Sequence, residues 1–349
     1  MLLVDALPVL YAAHYSFPPG SRLRSQEGED TTCAFQLLQS LLALLRELQP
    51  SHACVVFDPT SGSVRSLPPG WTLPYLPNST SLRSATPAGG LPTLSGAGAV
   101  FKSWRHSLFA NYKGSRKDQP ADVAAGAEMS QRLLDAAGLP YVEVAGVEAD
   151  DIIATLATQA QHAGLSVVIA SPDRDFHQLL SPSCQVWSPA RGQAGSSGLW
   201  KKHTAETFRE THGGLEPWQH THMKALTGDA TDDITGVAGI GPVLATQLLQ
   251  RYTTLEAVLE QAQTPSELPV RARKPMAAAQ AAHDARLSFD LVTLRTDVHT
   301  ATPVLQRPLH VYARARGDEG RRSVLEAVAA EYSFRSLSGE ELDLLLWEA

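Results

Sequence analysis

The chain has 349 residues, 43% hydrophobic and 19% charged, enough for a sizeable core and comfortable for two domains. Its apolar runs are too short and interrupted to span a bilayer, and "MLLVDALPVLY" has neither a basic n-region nor an Arg/Ser-rich leader, so no signal or transit peptide is expected. A net charge of −7 is unlike the basic footprint of a nucleic-acid binder unless the charge is unevenly distributed.

Residues 2–5, "LLVD", predict a short buried strand ending in Asp5. Residues 33–49 are strongly helical, and 52–58 form a second buried strand that also ends in aspartate, Asp58. From 59 to 100 Pro, Gly, Ser and Thr dominate without periodicity, which predicts a disordered or loosely packed insertion. Residues 121–138 predict a helix stopped by Gly138, and "PYVEVAG" a short strand. "VEADDIIATL", 147–156, then opens a helix with Glu148, Asp150 and Asp151. Acids favour the first turn of a helix, which accounts for one or two of these carboxylates but not for three. Residues 165–170 form another apolar strand, followed at once by "SPDRD", and 190–198 read as a surface loop.

After about residue 204 the pattern turns helical. "PWQHTHMKALTG" ends at Gly228, with "HTHMK" read as a helix surface; "DATDDITGVAGIGP" is a turn-rich connector, and "VLATQLLQRY" a second helix. "LHVYARA" is strand-like among the later helices. There is no internal repeat or heptad pattern. The cysteines Cys33, Cys54 and Cys184 form no C-x-x-C pair and the histidines no H-E-x-x-H, which fits a reducing compartment and argues against a zinc site. Apolar strands alternating with helices predict a parallel α/β sheet, in which ligands bind beyond the carboxyl ends of the strands.

Asp5, Asp58, Asp173 and Asp175 sit at or just past such ends, and with Glu148, Asp150, Asp151, Asp229 and Asp232 they make a set of nine acids. Carboxylates that converge raise one another's pKa and need cations. Hard oxygen donors suit Mg²⁺ or Mn²⁺, and two such ions suit in-line attack of water on a phosphodiester. A second cluster, "FKSWRHSLFANYKGSRK" at 101–117, carries Lys102, Arg105, Lys113, Arg116 and Lys117 with interleaved aromatics, Tyr112 among them, and no acid. Cations grip phosphates and aromatics stack on bases. With the nine acids set aside, the remaining charge is +2, so the acidic total does not exclude DNA. The third element, "GVAGIGP", lets backbone N–H groups at Gly236, Val237, Gly239, Ile240 and Gly241 approach a phosphate.

In order, "LLVDALPVLYAA", "VVFD", "ANYKGSR", "EADDIIATLA", "SPDRDFHQLL" and "LTGDATDDITGVAGIGPVLATQLL" resemble the bacterial 5′–3′ exonucleases, the 5′-nuclease domain of DNA polymerase I, and more distantly the flap endonucleases. The resemblance implies an α/β, PIN-like nuclease core over 1–204 and a helical DNA-binding region over 205–349, with a helix–three-turn–helix at 217–251. It implies that Asp5, Asp58, Glu148, Asp150, Asp173 and Asp175 hold or support an inner metal pair, completed by Asp151, Asp229 and Asp232. Lys113 and Arg116 match phosphate-steering cations, expected to be catalytic, and the hairpin at 236–241 matches an element that also holds K⁺ in the family. The chain departs from the family at Ala6, at the alanine in place of an arginine in "LYAAHY", at Pro172 and Arg174, and at Asp233.

The expectation is a stand-alone, monomeric, metal-dependent 5′–3′ exonuclease and flap endonuclease. It would act on flapped, nicked or RNA-primed DNA and leave 5′-phosphate and 3′-hydroxyl ends. The expected location is the bacterial cytoplasm with the chromosome, or a eukaryotic organelle. The rivals are a PIN-like ribonuclease and a non-catalytic DNA-junction-binding protein.

Overall fold

The computed structural model describes residues 1–59, 103–190, 200–264, 266, 268–298, 306, 308–313, 319–334 and 336–346. The 59–100 insertion, apart from Pro59, and the 190–198 loop, apart from Ala190, lie outside the described residues.

The sheet comprises β1 (Leu2–Asp5), β2 (Ala53–Phe57), β3 (Tyr141–Glu143), β4 (Val167–Ala170), β5 (Cys184–Pro189) and β6 (Trp200–His203), in the order β3-β2-β1-β4-β5-β6. All pairs are parallel except β5 with β6. β1 and β2 are buried along their whole length, as expected of strands covered on both faces. Their side chains alternate between two layers. Leu2 and Val4 pack with α1 (Ala6–Ser16), α2 (Thr32–Leu48) and, beyond the short α3 (Trp104–Leu108), α4 (Ala121–Ala137). Leu3 packs on the other side with α5 (Ala149–His162). The chain winds from β1 to β2 and β3 on one side and reaches β4 and β5 on the other. That reversal places a crevice at the carboxyl ends of β1 and β4.

The helices α6 (Ala205–Thr211), α7 (Gln219–Thr227), α8 (Pro242–Tyr252), α9 (Leu255–Gln261), α10 (Val270–Met276) and α11 (Ala281–Val292) follow. Their apolar faces share one core with α5 and β4: Ile152 and Ile169 lie in the same cluster as Leu226, Leu248 and Ala285. The boundary expected at 204/205 is therefore not a gap in packing. The expected extent of the helical region needs correction as well. α12 (Glu319–Glu331) and α13 (Gly339–Leu345) return to the nuclease layer, where Leu325, Tyr332 and Leu345 join the core of α2 and α4.

The described part of "LHVYARA", 309–313, is not a strand. Leu309–Tyr312 form a 3₁₀ turn after Pro308, and only Ala313 makes an isolated bridge, to His52. "HTHMK" is not a helix surface, because α7 is central to its layer and buries His220 and Thr221. The three cysteines are buried and unpaired. Among the described residues no helix is long and apolar enough to cross a membrane.

Candidate metal centre and nucleic-acid interface

Asp5 ends β1 and is 3% exposed; its Oδ2 accepts a 2.7 Å bond from Ser171 Oγ. Asp58 follows β2 and accepts a 2.7 Å bond from the N–H of Ala149, the first residue of α5. The head of α5 is thereby tied to the mouth of the sheet, and Asp150 comes within electrostatic reach of Asp5, Asp58 and Asp173. Burial first, and Asp58 and Asp173 next, hold the Asp5 carboxyl well above the usual range. Burial and the charges of Asp173, Asp5 and Asp58 do the same to Asp150, against the pull of Lys113. Burial also raises Asp58. Among the described residues the Asp150 side chain has no hydrogen bond and no ion pair.

A second group lies beside the first. One oxygen each from Asp175, Asp229 and Asp232 falls within 4.8 Å of the others. Asp175 sits on the 3₁₀ turn Arg174–Leu179 after β4, and its N–H donates to Asp173 Oδ1 at 2.8 Å. Asp229 and Asp232 come from a tight loop after α7, closed by paired 2.8 Å bonds between Asp229 and Ile234. Gly228 enters that loop at φ +74, where a Cβ would meet the Ile234 carbonyl oxygen at 2.5 Å. Lys224, one turn earlier on α7, places its ammonium between Asp175 and Asp229. Sequence reasoning missed it. Its signal is a lysine four residues before the glycine that ends α7 and five before Asp229. Burial, eased by Lys224 and reinforced by Asp173, pushes the Asp175 carboxyl up to about 6.

The basic segment closes the rim. Lys113 reaches Glu148 and lies 3.8 Å from Asp232, with its ammonium over the Tyr112 ring. Arg116, half-exposed, donates to Asp232 Oδ1 at 2.5 Å. Burial favours a neutral Glu148, but Lys113 and Arg105 overcome it and hold the carboxyl far below its usual range. Asp233, at φ +59, accepts 2.8 Å bonds from the N–H and hydroxyl of Ser115. That departure from the family pattern therefore ties the Lys113–Arg116 turn to the aspartate loop; Asp tolerates the left-handed region better than most residues.

Three expectations need correction. Asp151 is 0% exposed and its oxygens are already taken. It accepts two bonds from Arg105, one from Trp104 Nε1 at 2.9 Å and one from the Arg295 N–H at 2.9 Å. It is an anchor for other side chains and not a metal ligand. Arg105 is 2% exposed and bonded to Glu148, Asp151 and the carbonyls of Leu291 and Thr293, so it cannot grip DNA. Tyr112 is 3% exposed, bonded to Glu148 and Asp232, and packed with Ile234 and Leu291, so it stacks on no base. Trp104 is likewise engaged, with the guanidinium groups of Arg105 and Arg295 4.6 and 4.4 Å from its ring centre. The acid-free segment is basic because its acids are elsewhere in the chain.

The hairpin also divides. Gly236, at φ +65, packs on Gly228, and Val237 and Ile240 point into the core. Val237 and Ile240 therefore offer only backbone to a ligand, and Gly236 is a packing residue. Gly239 and Gly241 are exposed, and Pro242 begins α8 just beyond them.

The donor set fits divalent ions. Asp5, Asp58, Asp150 and Asp173 on one side and Asp175, Asp229 and Asp232 on the other are oxygen donors, several of them held in mutual repulsion.

The family model for the 5′–3′ exonuclease N-terminal resolvase-like domain matches residues 97–212, and that for the 5′–3′ exonuclease C-terminal SAM fold matches 215–313. The DNA polymerase I of Chloroflexus aurantiacus is 30% identical over 90% of this chain and 28% of its own length. The thermostable DNA polymerase I of Thermus thermophilus is 34% identical over 97% of this chain and 33% of its own length. The chain thus spans about a third or less of these polymerases. A 5′–3′ exonuclease of Aquifex aeolicus is 27% identical over 85% of this chain and 82% of its own length. Among solved structures, the bacteriophage T5 D15 flap endonuclease in a pseudo-enzyme-product complex with DNA and metal ions superposes with TM-score 0.58 at 16% identity, covering 95% of this chain and 98% of that one.

Proposed function

The chain belongs to the 5′–3′ exonuclease family, and from that premise we propose that it hydrolyses DNA phosphodiesters at 5′ ends and flaps, leaving 5′-phosphate and 3′-hydroxyl ends. The observation that carries this reading is the convergence of carboxylates from β1, β2, the head of α5, the turn after β4 and the 229–232 loop on one cleft rimmed by Lys113 and Arg116.

Asp5, Asp58, Asp150 and Asp173, supported by Glu148, would hold one divalent ion, Mg²⁺ or Mn²⁺; Asp175, Asp229 and Asp232 would hold a second. Such ions supply Lewis acidity and an activated water. The chain's own residues do the rest. Asp58 fixes the head of α5, and Glu148 and Asp232 aim Lys113 and Arg116 across the cleft, where their charges oppose the negative charge that builds on a phosphate in the transition state. Exposed backbone at Gly239 and Gly241, before α8, would grip duplex phosphates, with K⁺ as an additional ligand of the hairpin. Residues 1–204 would form the catalytic region and 205–313 the duplex-gripping one, with α12 and α13 serving the catalytic layer.

The test is cleavage of a labelled 5′ flap, a nicked duplex and an RNA–DNA hybrid, in Mg²⁺, Mn²⁺ and EDTA. Metal-dependent release from the flap or nick is expected. Cleavage of the hybrid alone would favour a ribonuclease, and binding without cleavage in either metal would favour a junction-binding protein.

A further inference from the structure

A cavity of about 500 Å³ opens next to Asp173, between the turn after β4 and the β5–β6 edge. That volume is within the roughly 300–1,000 Å³ of small-ligand sites. Its lining residues include two cations, Arg174 and Lys201, one acid, Asp173, and the polar Ser171, Ser188, His177 and His203.

The two cations set this cavity apart. Around the cleft Arg105, Lys113, Arg116 and Lys224 are all engaged by carboxylates. Arg174 and Lys201 are exposed and, among the described residues, their side chains have no ion pair and no hydrogen bond. In a chain of net charge −7, two cations that have no side-chain partner among the described residues and line one concavity make a site for an anion. His203 feels both: burial, then the charges of Lys201 and Arg174, lower its pKa. His177, 6% exposed, packs its ring 4.8 Å from that of His203 at the back of the cavity. Ser188 Oγ and His203 Nε2 lie 3.0 Å apart and complete a polar lining.

We propose that this cavity is a nucleotide-phosphate subsite, in which Arg174 and Lys201 hold one phosphate a short step from Asp173. The proposal rests on the nuclease reading only for the origin of the nucleotide. The phosphate belongs either to a strand that runs past the cleft or to a released 5′-mononucleotide.

The alternation of β6 supplies an internal control. Lys202, next along the strand, faces the other way, over the Trp187 ring at 4.1 Å and 3.1 Å from Glu47. The first arm is calorimetric titration with 5′-dTMP and with thymidine in EDTA. The expected result is binding of dTMP but not thymidine, weakened roughly tenfold or more in R174A/K201A and unchanged in K202A. The second arm is binding of a labelled flap DNA in Ca²⁺ at several salt concentrations. Every phosphate that R174A/K201A leaves unneutralised flattens the log–log slope by about 0.7 for single strands or 0.9 for duplex. A change in the first arm alone identifies a free-nucleotide site, and a change in the second identifies a strand phosphate; either supports the subsite. R174Q/K201Q, which keeps polar side chains of similar length, must repeat the effect while retaining the wild-type melting temperature.

No Arg174- or Lys201-dependent effect in either arm overturns the proposal. Neither arm reads cleavage, so normal flap cleavage with both arms unchanged removes the subsite and leaves the nuclease reading intact. Charge-dependent dTMP binding in a protein that cleaves nothing does the reverse.

Discussion

Arg105 and Asp151 meet through two parallel N–H···O bonds of 2.8 Å each, with 2% and 0% of their side-chain surfaces exposed. Removing one partner of a buried pair leaves the other charge uncompensated, at roughly 3–5 kcal/mol. Asp151→Ala should therefore lower the melting temperature sharply. Asp150→Asn, one residue away, relieves repulsion and should leave the melting temperature equal or higher while abolishing metal-dependent cleavage. Melting and single-turnover cleavage of both variants check this; similar melting behaviour in the two would show that the adjacent aspartates share one role.

Lys224 occupies oxygens of Asp175 and Asp229 that a divalent ion bound there would need. Lys224→Met should destabilise the metal-free protein and increase the upward shift of melting temperature produced by Mg²⁺, since the competing cation is gone. An unchanged Mg²⁺ shift would mean that Asp175 and Asp229 bind no ion.

The Asp175 carboxyl, raised by burial to about 6, gives a pH dependence of definite sign. Its ordinary value is 3.8, so between about pH 4 and 6 the folded state holds a proton that the unfolded chain has lost. Its stabilising contribution is full below pH 4 and is lost as pH rises through 6. Comparing wild type with Asp175→Asn in EDTA isolates this contribution, and the wild type should lose ground as pH rises. An ion held by Asp175 would have to expel that proton, so the Mg²⁺-induced melting shift should be larger at pH 7.5 than at 5.5. A shift independent of pH would exclude Asp175 from the ion's ligands.

The hairpin glycines should separate by function. A Cβ at Gly236 would meet the Gly228 nitrogen at 2.2 Å, so Gly236→Ala should cost stability, by about 2 kcal/mol or more. Gly241 has ordinary φ and nothing within 4 Å of a Cβ, so Gly241→Val should melt normally and raise KM for duplex substrates with kcat nearly unchanged. Lys113→Ala should instead lower the single-turnover rate at saturating DNA. Reversed kinetic effects for Gly241 and Lys113 would exchange the two assignments.

Asp5 and Asp58 could be read from sequence because an apolar run that ends in aspartate marks both a buried strand and its carboxyl end. β5 and β6 could not. "CQVWSP" and "WKKH" are short, and the paired lysines of β6 are what an exposed edge strand carries, so hydropathy alone leaves them as loop. The burial of Arg105 and Tyr112 was hidden for another reason. Their partners Glu148 and Asp151 lie 36–46 residues away, and an arginine in an acid-free stretch has nothing nearby to mark it as internal. The same distance hid Lys224, whose partner Asp175 precedes it by 49 residues.

Trp104 offers an optical consequence. Its indole N–H is bonded to a buried carboxylate, and guanidinium groups lie 4.6 and 4.4 Å from its ring centre. Cations beside an indole shift its emission, so this side chain should have a spectral signature distinct from that of Trp218, which is 46% exposed. With the other tryptophans replaced by phenylalanine, Trp104 would act as a built-in fluorophore on the link between the basic segment and α5. A spectral change on mixing with DNA would time, in a stopped-flow trace, when that link responds.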